Sequence, residues 1–165
     1  MSIILIGMPS CGKSTLGVLL AKKLGYRFID SDLLIQEREG KLLHEIISEK
    51  GNEGFLKIEN EVNCAIEDKK AVIATGGSAV YGRTAMEHLQ EIGTVVYLKL
   101  PYEEVAERLG DLNARGVTLR QGQTLADLYR ERTPLYEQYA HITVECGDKM
   151  LREIVHEVAQ KLQLK

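Results

Sequence analysis

Short unbroken apolar runs alternate along this chain with longer stretches that turn apolar at every third or fourth position. The runs Ser2-Ile3-Ile4-Leu5-Ile6, Tyr26-Arg27-Phe28-Ile29, Ala71-Val72-Ile73-Ala74-Thr75 and Thr94-Val95-Val96-Tyr97-Leu98, with 141–146, read as five strands. Most lack the alternation of a half-exposed strand, as expected when both faces of a sheet are covered. Helical spacing covers 13–24, 33–38, 42–50, 53–68, 84–92, 101–109 and 150–162. Gly25, Gly40, Gly51 and Gly93 stand where helices should end, and Pro101 stands where one should begin. Thr124 with Asp127 resembles a capping box for a further helix, which Pro134 should interrupt or bend. Strands alternating with helices predict an α/β fold. Its core would be a five-stranded parallel sheet with helices on both faces and right-handed crossovers. Ligands in such sheets sit beyond the carboxyl ends of the strands.

One segment breaks the pattern. From 110 to 123 no apolar period survives, and Gly110, Gly116 and Gly122 alternate with Arg115, Arg120 and polar residues. A loop of this length inside a compact domain points to an active-site lid. No repeat, low-complexity tract or linker divides residues 1–165, so a single domain is expected.

Three strand ends carry the candidate chemistry. The first run leads into Gly7-Met8-Pro9-Ser10-Cys11-Gly12-Lys13-Ser14-Thr15, a full match to G-x-x-x-x-G-K-[ST] between a strand and a helix. Successive backbone N–H groups of this loop and the positive end of the following helix would cradle phosphates. Lys13 would reach the β and γ groups, and Ser14 would offer a hydroxyl to Mg²⁺. The second strand ends in Asp30-Ser31-Asp32, the third in Gly76-Gly77-Ser78. Asp30 suits the metal shell, and Asp32 suits an acceptor hydroxyl that it could orient and deprotonate; the alternative for Asp32 is a helix cap. The Gly-Gly-Ser turn would line the pocket with N–H groups, or else be a plain turn. Phosphoryl transfer needs this kind of positioning and charge neutralisation more than covalent help.

The totals narrow the partners. Apolar residues are 44% and charged ones 27% of 165, ordinary for a soluble domain, and the net charge of −3 argues against non-specific nucleic-acid binding. No leader and no apolar run long enough to span a bilayer is visible, which predicts a cytoplasmic protein. Three cysteines without C-x-x-C spacing indicate neither disulfides nor zinc, and the four histidines lack ligand spacing. Cys11, near Lys13 and a helix start, could favour a thiolate, but the simpler reading is a small loop residue whose N–H matters.

With these stations in place the chain resembles the shikimate kinases nearly end to end. The likeness includes the phosphate loop, the Asp-x-Asp, Phe55-x-x-x-Glu59, the Thr-Gly-Gly turn at Thr75, Arg115 in the lid and Arg132-Thr133-Pro134-Leu135-Tyr136. The resemblance implies a three-layer P-loop kinase fold with a mobile lid, using ATP and Mg²⁺, commonly as a monomer. It implies that Asp32 holds and deprotonates shikimate, Arg132 binds its carboxylate and Gly76 and Gly77 contact its ring. Arg115 would reach the transferring phosphates and Arg108 would lie against the adenine. Three positions depart from the family pattern: Leu56 where it has the second carboxylate-clamping arginine, Ser78 where it has a third glycine, and Gly116 where it usually has proline. Leu56 shares a helical face with Glu59, Asn60 and Asn63, so we expect it to line the acceptor pocket, with Lys57 or Arg83 as substitute cations. Ser78 would bond a substrate oxygen or crowd it. Two other readings stand beside shikimate phosphorylation: a relative with another hydroxylated acceptor, and a non-catalytic nucleotide-binding module.

Overall fold

The structure is a computed structural model that describes residues 1–109 and 122–162. Five parallel strands form one sheet: β1 (Ser2–Ile6), β2 (Arg27–Asp30), β3 (Ala71–Ala74), β4 (Gly93–Lys99) and β5 (Ile142–Glu145), in the order β2-β3-β1-β4-β5. Every residue of β1 and β3 is buried, which explains why those runs show no polar alternation. The register pairs Asp30 with Ala74 and Ala74 with Leu5, so β2, β3 and β1 end level with one another. Thr75 reinforces that edge: its N–H and its hydroxyl both donate to Leu5 O, at 3.2 and 2.8 Å.

Among the described residues seven helices pack around the sheet: α1 (Lys13–Leu24), α2 (Ser31–Glu39), α3 (Leu43–Cys64), α4 (Arg83–Ile92), α5 (Tyr102–Leu109), α6 (Leu125–Tyr139) and α7 (Leu151–Lys161). A 3₁₀ turn, Ala79–Tyr81, precedes α4. Two separate helices were expected over 42–50 and 53–68. They form one element, kinked where Gly51 adopts φ 75° and ψ 174°, a conformation closed to most other residues. Gly93, expected to close a helix, is instead the first residue of β4, in extended conformation; a Cβ there would sit 2.2 Å from Ser2 O. Pro134 does not interrupt α6, which runs through it from a Thr124–Asp127 capping box to Tyr139.

The apolar interior has two parts. The larger follows the sheet, and the smaller joins Ile35, Ile46, Phe55, Ile58 and Val62 between α2 and α3. Among the described residues no helix is long and apolar enough to cross a membrane.

Candidate active site

A cavity of about 620 Å³ opens at the carboxyl edge of the sheet. One wall is the loop between β1 and α1. Gly7, at φ 152°, lies against β4 so closely that a Cβ would fall 2.8 Å from Leu98 O, and Gly12 starts α1 at φ 94°. These two conformations turn the backbone back on itself. They bring Pro9, Ser10, Gly12, Lys13, Ser14 and Thr15 onto the cavity surface, with the N-terminus of α1 behind them. Lys13 is buried at 7% exposure, and its Nζ donates to Gly7 O and Met8 O, both at 2.8 Å. The ammonium is thus held at the loop it would serve. Gly7 and Cys11 are not on the cavity surface, and Cys11 belongs to the buried core, its Sγ 3.6 Å from Lys13 Nζ. Arg108 of α5 closes this side, donating to Ser10 O at 3.5 Å and pairing with Glu104 at 3.6 Å.

Behind the loop, Ser14 Oγ donates to Asp30 Oδ2 at 2.9 Å. A hydroxyl beside a carboxylate offers hard oxygen donors, and so small a set suits Mg²⁺, which keeps several waters and takes few protein ligands. Asp30 also caps α2: its Oδ1 accepts from the Asp32 N–H at 3.0 Å. The cap, for which Asp32 was the alternative, is therefore two residues earlier, and Asp32 lies in the first turn with its side chain on the cavity. Burial pushes the Asp32 carboxyl up to about 6; the Asp30 charge adds to this and Lys13 opposes it.

The opposite wall is assembled from Asp32, Leu43, Phe55, Glu59, Thr75 to Ser78, and Arg132. Gly76 has no Cβ where two carboxylates converge: a Cβ would lie 2.7 Å from Asp32 Oδ1 and 2.8 Å from Glu59 Oε2. Gly77 likewise leaves room for Arg132, whose Nη1 would be 3.0 Å from a Cβ there. Arg132 is 1% exposed. Its Nε donates to Tyr81 Oη at 3.3 Å, its guanidinium lies 5.3 Å from the Tyr81 ring centroid, and Tyr81 Oη donates to Glu131 at 2.6 Å. One helical turn further on, Tyr136 Oη donates to Gly77 O at 2.6 Å and stacks on Tyr97, which fastens α6 to the glycine turn.

A family model described as shikimate kinase matches residues 9–163. The chain belongs to the shikimate kinase family. Shikimate kinase of Chlorobium chlorochromatii is 37% identical over 98% of this chain and 90% of its own length; that of Nitrosomonas europaea is 39% identical over 98% and 78%. Among solved structures, shikimate kinase from Acinetobacter baumannii in complex with shikimate superposes with a TM-score of 0.89 at 34% identity, covering 98% of this chain and 92% of that one.

Against the shikimate kinase pattern, the structure gathers Lys13, Asp32, Gly76, Gly77, Ser78, Arg108 and Arg132 on one cavity. Arg115 lies outside the described residues, as does nearly all of the 110–123 segment expected to be a lid. Leu56 does not line the cavity; it is half-buried and packs against the small core between α2 and α3, where Leu43 and Ile47 also lie. Neither substitute cation approaches the site: Lys57 is exposed, and Arg83 is paired with Glu87 at 3.0 Å with its side chain 83% exposed.

Glu59 received no role from the sequence, although it ends the Phe55-x-x-x-Glu59 motif. It is 2% exposed, and its Oε1 accepts from Ser78 Oγ at 2.6 Å. Burial drives its carboxyl up to about 7; the Ser78 hydrogen bond, Arg132 and Lys13 pull it down, and Asp32 adds to the rise. The available signal was its spacing, one turn after Phe55 and one before Asn63, on a face that proves to be buried.

Proposed function

We propose that this protein transfers the γ-phosphoryl group of ATP to a hydroxyl of shikimate, giving shikimate 3-phosphate for aromatic amino acid biosynthesis. It would act as a monomeric cytoplasmic enzyme on a small molecule, without nucleic acid or membrane. The observation that carries the reading is the convergence on one cavity of the phosphate loop, the half-buried Asp32 and the buried Arg132 guanidinium. The loop amides and Lys13 would bind the triphosphate, with Arg108 near the base and Arg115 contacting the transferring group. Ser14 and Asp30 would hold Mg²⁺, which when bound supplies charge neutralisation on the β and γ oxygens. Arg132 would pair with the shikimate carboxylate, and Gly76, Gly77 and Ser78 would flank the ring. Asp32 then orients the hydroxyl in line with the γ-phosphorus. As the new O–P bond forms, the bond to the β–γ bridging oxygen breaks, ADP departs and the hydroxyl proton passes to the Asp32 carboxylate. A carboxyl near 6 is ionised at neutral pH yet basic enough to accept that proton.

A second acceptor is favoured by one observation: neither of the two candidate substitutes for the arginine missing at Leu56 approaches the site, Lys57 being exposed and Arg83 paired with Glu87. Losing one half of a carboxylate clamp weakens binding by roughly 2–5 kcal/mol. Mass-spectrometric detection of phosphorylated product from a panel of shikimate and neutral or amino-bearing polyols separates the readings. Shikimate phosphate as the dominant product supports the first, and a polyol phosphate formed in preference to it supports the second.

A further inference from the structure

One departure from the family pattern, Ser78, bonds Glu59, and another, Leu56, stands three residues before Glu59 on α3. Among the described residues this buried carboxylate has only half its hydrogen bonding in place: Oε1 accepts from Ser78 Oγ at 2.6 Å, and Oε2 has no partner. Oε2 is not turned into the core. It points at the bare Cα of Gly76, with Asp32 Oδ1 on the other side of the same small gap. The charged groups that face Glu59 are Asp32 from α2, Lys13 from α1 and Arg132 from α6, so one repels its ionised form and two attract it. The Ser78 hydroxyl is the one hydrogen-bond donor to it among the described residues.

A carboxylate this deep needs a donor or a cation to stay ionised and fixed. On a helix the residue three positions earlier is within side-chain reach, and for Glu59 that residue is Leu56. An arginine at 56 would supply a cation to Glu59, and a glycine at 78 would supply no donor. This chain has the reverse at both positions: an alkyl group at 56 and a hydroxyl at 78. The Ser78 proton is engaged with Glu59, so Ser78 contributes to the site through that carboxylate more than by donating to an acceptor oxygen itself.

We propose that Leu56 and Ser78 are one coupled exchange, in which Ser78 is a positioning residue that holds Glu59 in place of the cation missing at position 56, leaving Oε2 to accept a hydrogen bond from a hydroxyl of the bound acceptor. The last clause rests on the proposed assignment of this wall to the acceptor. The geometry gives the acceptor site two hydrogen-bond-accepting carboxylates side by side, Asp32 and Glu59, which selects for an acceptor bearing neighbouring hydroxyls.

The test is a four-cornered comparison of the parent, Ser78→Gly, Leu56→Arg and the double variant, with Ser78→Ala as a second way to remove the hydroxyl. Two quantities are read: the titration of Glu59 by carboxyl-carbon NMR in the ligand-free protein, and KM and kcat for shikimate. Removing the hydroxyl should raise the Glu59 midpoint by about one pH unit and raise the shikimate KM about tenfold, with kcat changing less. Adding Leu56→Arg to that background should reverse both shifts, whereas in the parent it should move the midpoint much less. An unmoved Glu59 titration in Ser78→Gly and Ser78→Ala overturns the proposal, as does an effect of Leu56→Arg that is the same in both backgrounds. The titration needs no substrate. Coupled titrations without turnover of shikimate in any corner would uphold the exchange and overturn the choice of acceptor.

Discussion

The two walls of the cavity are built by opposite means. The wall proposed to hold phosphate draws on one stretch, Pro9 to Thr15, and offers backbone amides, a helix end and a single lysine. The facing wall collects side chains from α2, α3, the turn after β3 and α6, and most of its polar groups are buried: Glu59 at 2%, Ser78 at 6%, Arg132 at 1%. Backbone-built recognition depends little on which side chains occupy the loop, so a short pattern describes it. Side-chain recognition depends on each member and on what supports it. This chain departs from its family at one member of that wall, Ser78, and at Leu56, which packs against the small core between α2 and α3.

The sharpest separation of the walls comes from removing one functional group from each. Lys13→Ala should reduce kcat by about 10³-fold or more, because a charge preorganised for the transferring phosphate is lost. Calorimetry should find shikimate binding without nucleotide unchanged. Asp32→Asn should reduce kcat by about 10²–10³-fold and leave ATP binding within about twofold. Parallel loss of both ligands in either variant would break the division.

A smaller effect distinguishes the walls by stability. Glu59 titrates near 7 in the folded protein against an ordinary 4.5. Between those values the native state binds more protons than the unfolded chain, so this group's contribution to stability falls as pH rises and the penalty is complete above about 7. Glu59→Gln should therefore stabilise the ligand-free protein by about 2–3 kcal/mol at about pH 8 and by little at about pH 4, read from urea unfolding. Equal effects at both pH values would mean that Glu59 is not held against its ionisation. Smaller still, Tyr136→Phe leaves Gly77 O without its 2.6 Å donor and should cost about 1–2 kcal/mol, with a modest rise in the shikimate KM.

The same contrast explains what the sequence disclosed. The phosphate loop was legible because its residues are contiguous and its flanking strand and helix follow ordinary periodicity. The parallel sheet was legible because β1 and β3 are buried on both faces, which leaves unbroken apolar runs. Asp30 and Asp32 were found together, but their division of labour turned on which of them caps α2. On the face of α3 bearing Leu56, Glu59 and Asn63, the polar residues suggested a cavity wall with Leu56 upon it; Glu59 does line the cavity, but Leu56 does not. Asn63 is 0% exposed, and Leu56 packs against the small core between α2 and α3. A helix buried on two sides carries no periodicity that separates a functional polar residue from a solvated one. Of the two outcomes expected at Pro134, an interruption or a bend, the interruption does not occur, since α6 runs through it to Tyr139.

Selection of a carboxylated acceptor by the Arg132 wall is measured by comparing kcat/KM for shikimate with that for the same ring lacking its carboxylate, in the parent and in Arg132→Ala. The parent should prefer shikimate by about 10²-fold or more, and this preference should collapse in the variant, with the analogue's own rate little changed. Equal rates for the two acceptors in the parent, or a preference that survives Arg132→Ala, would contradict it.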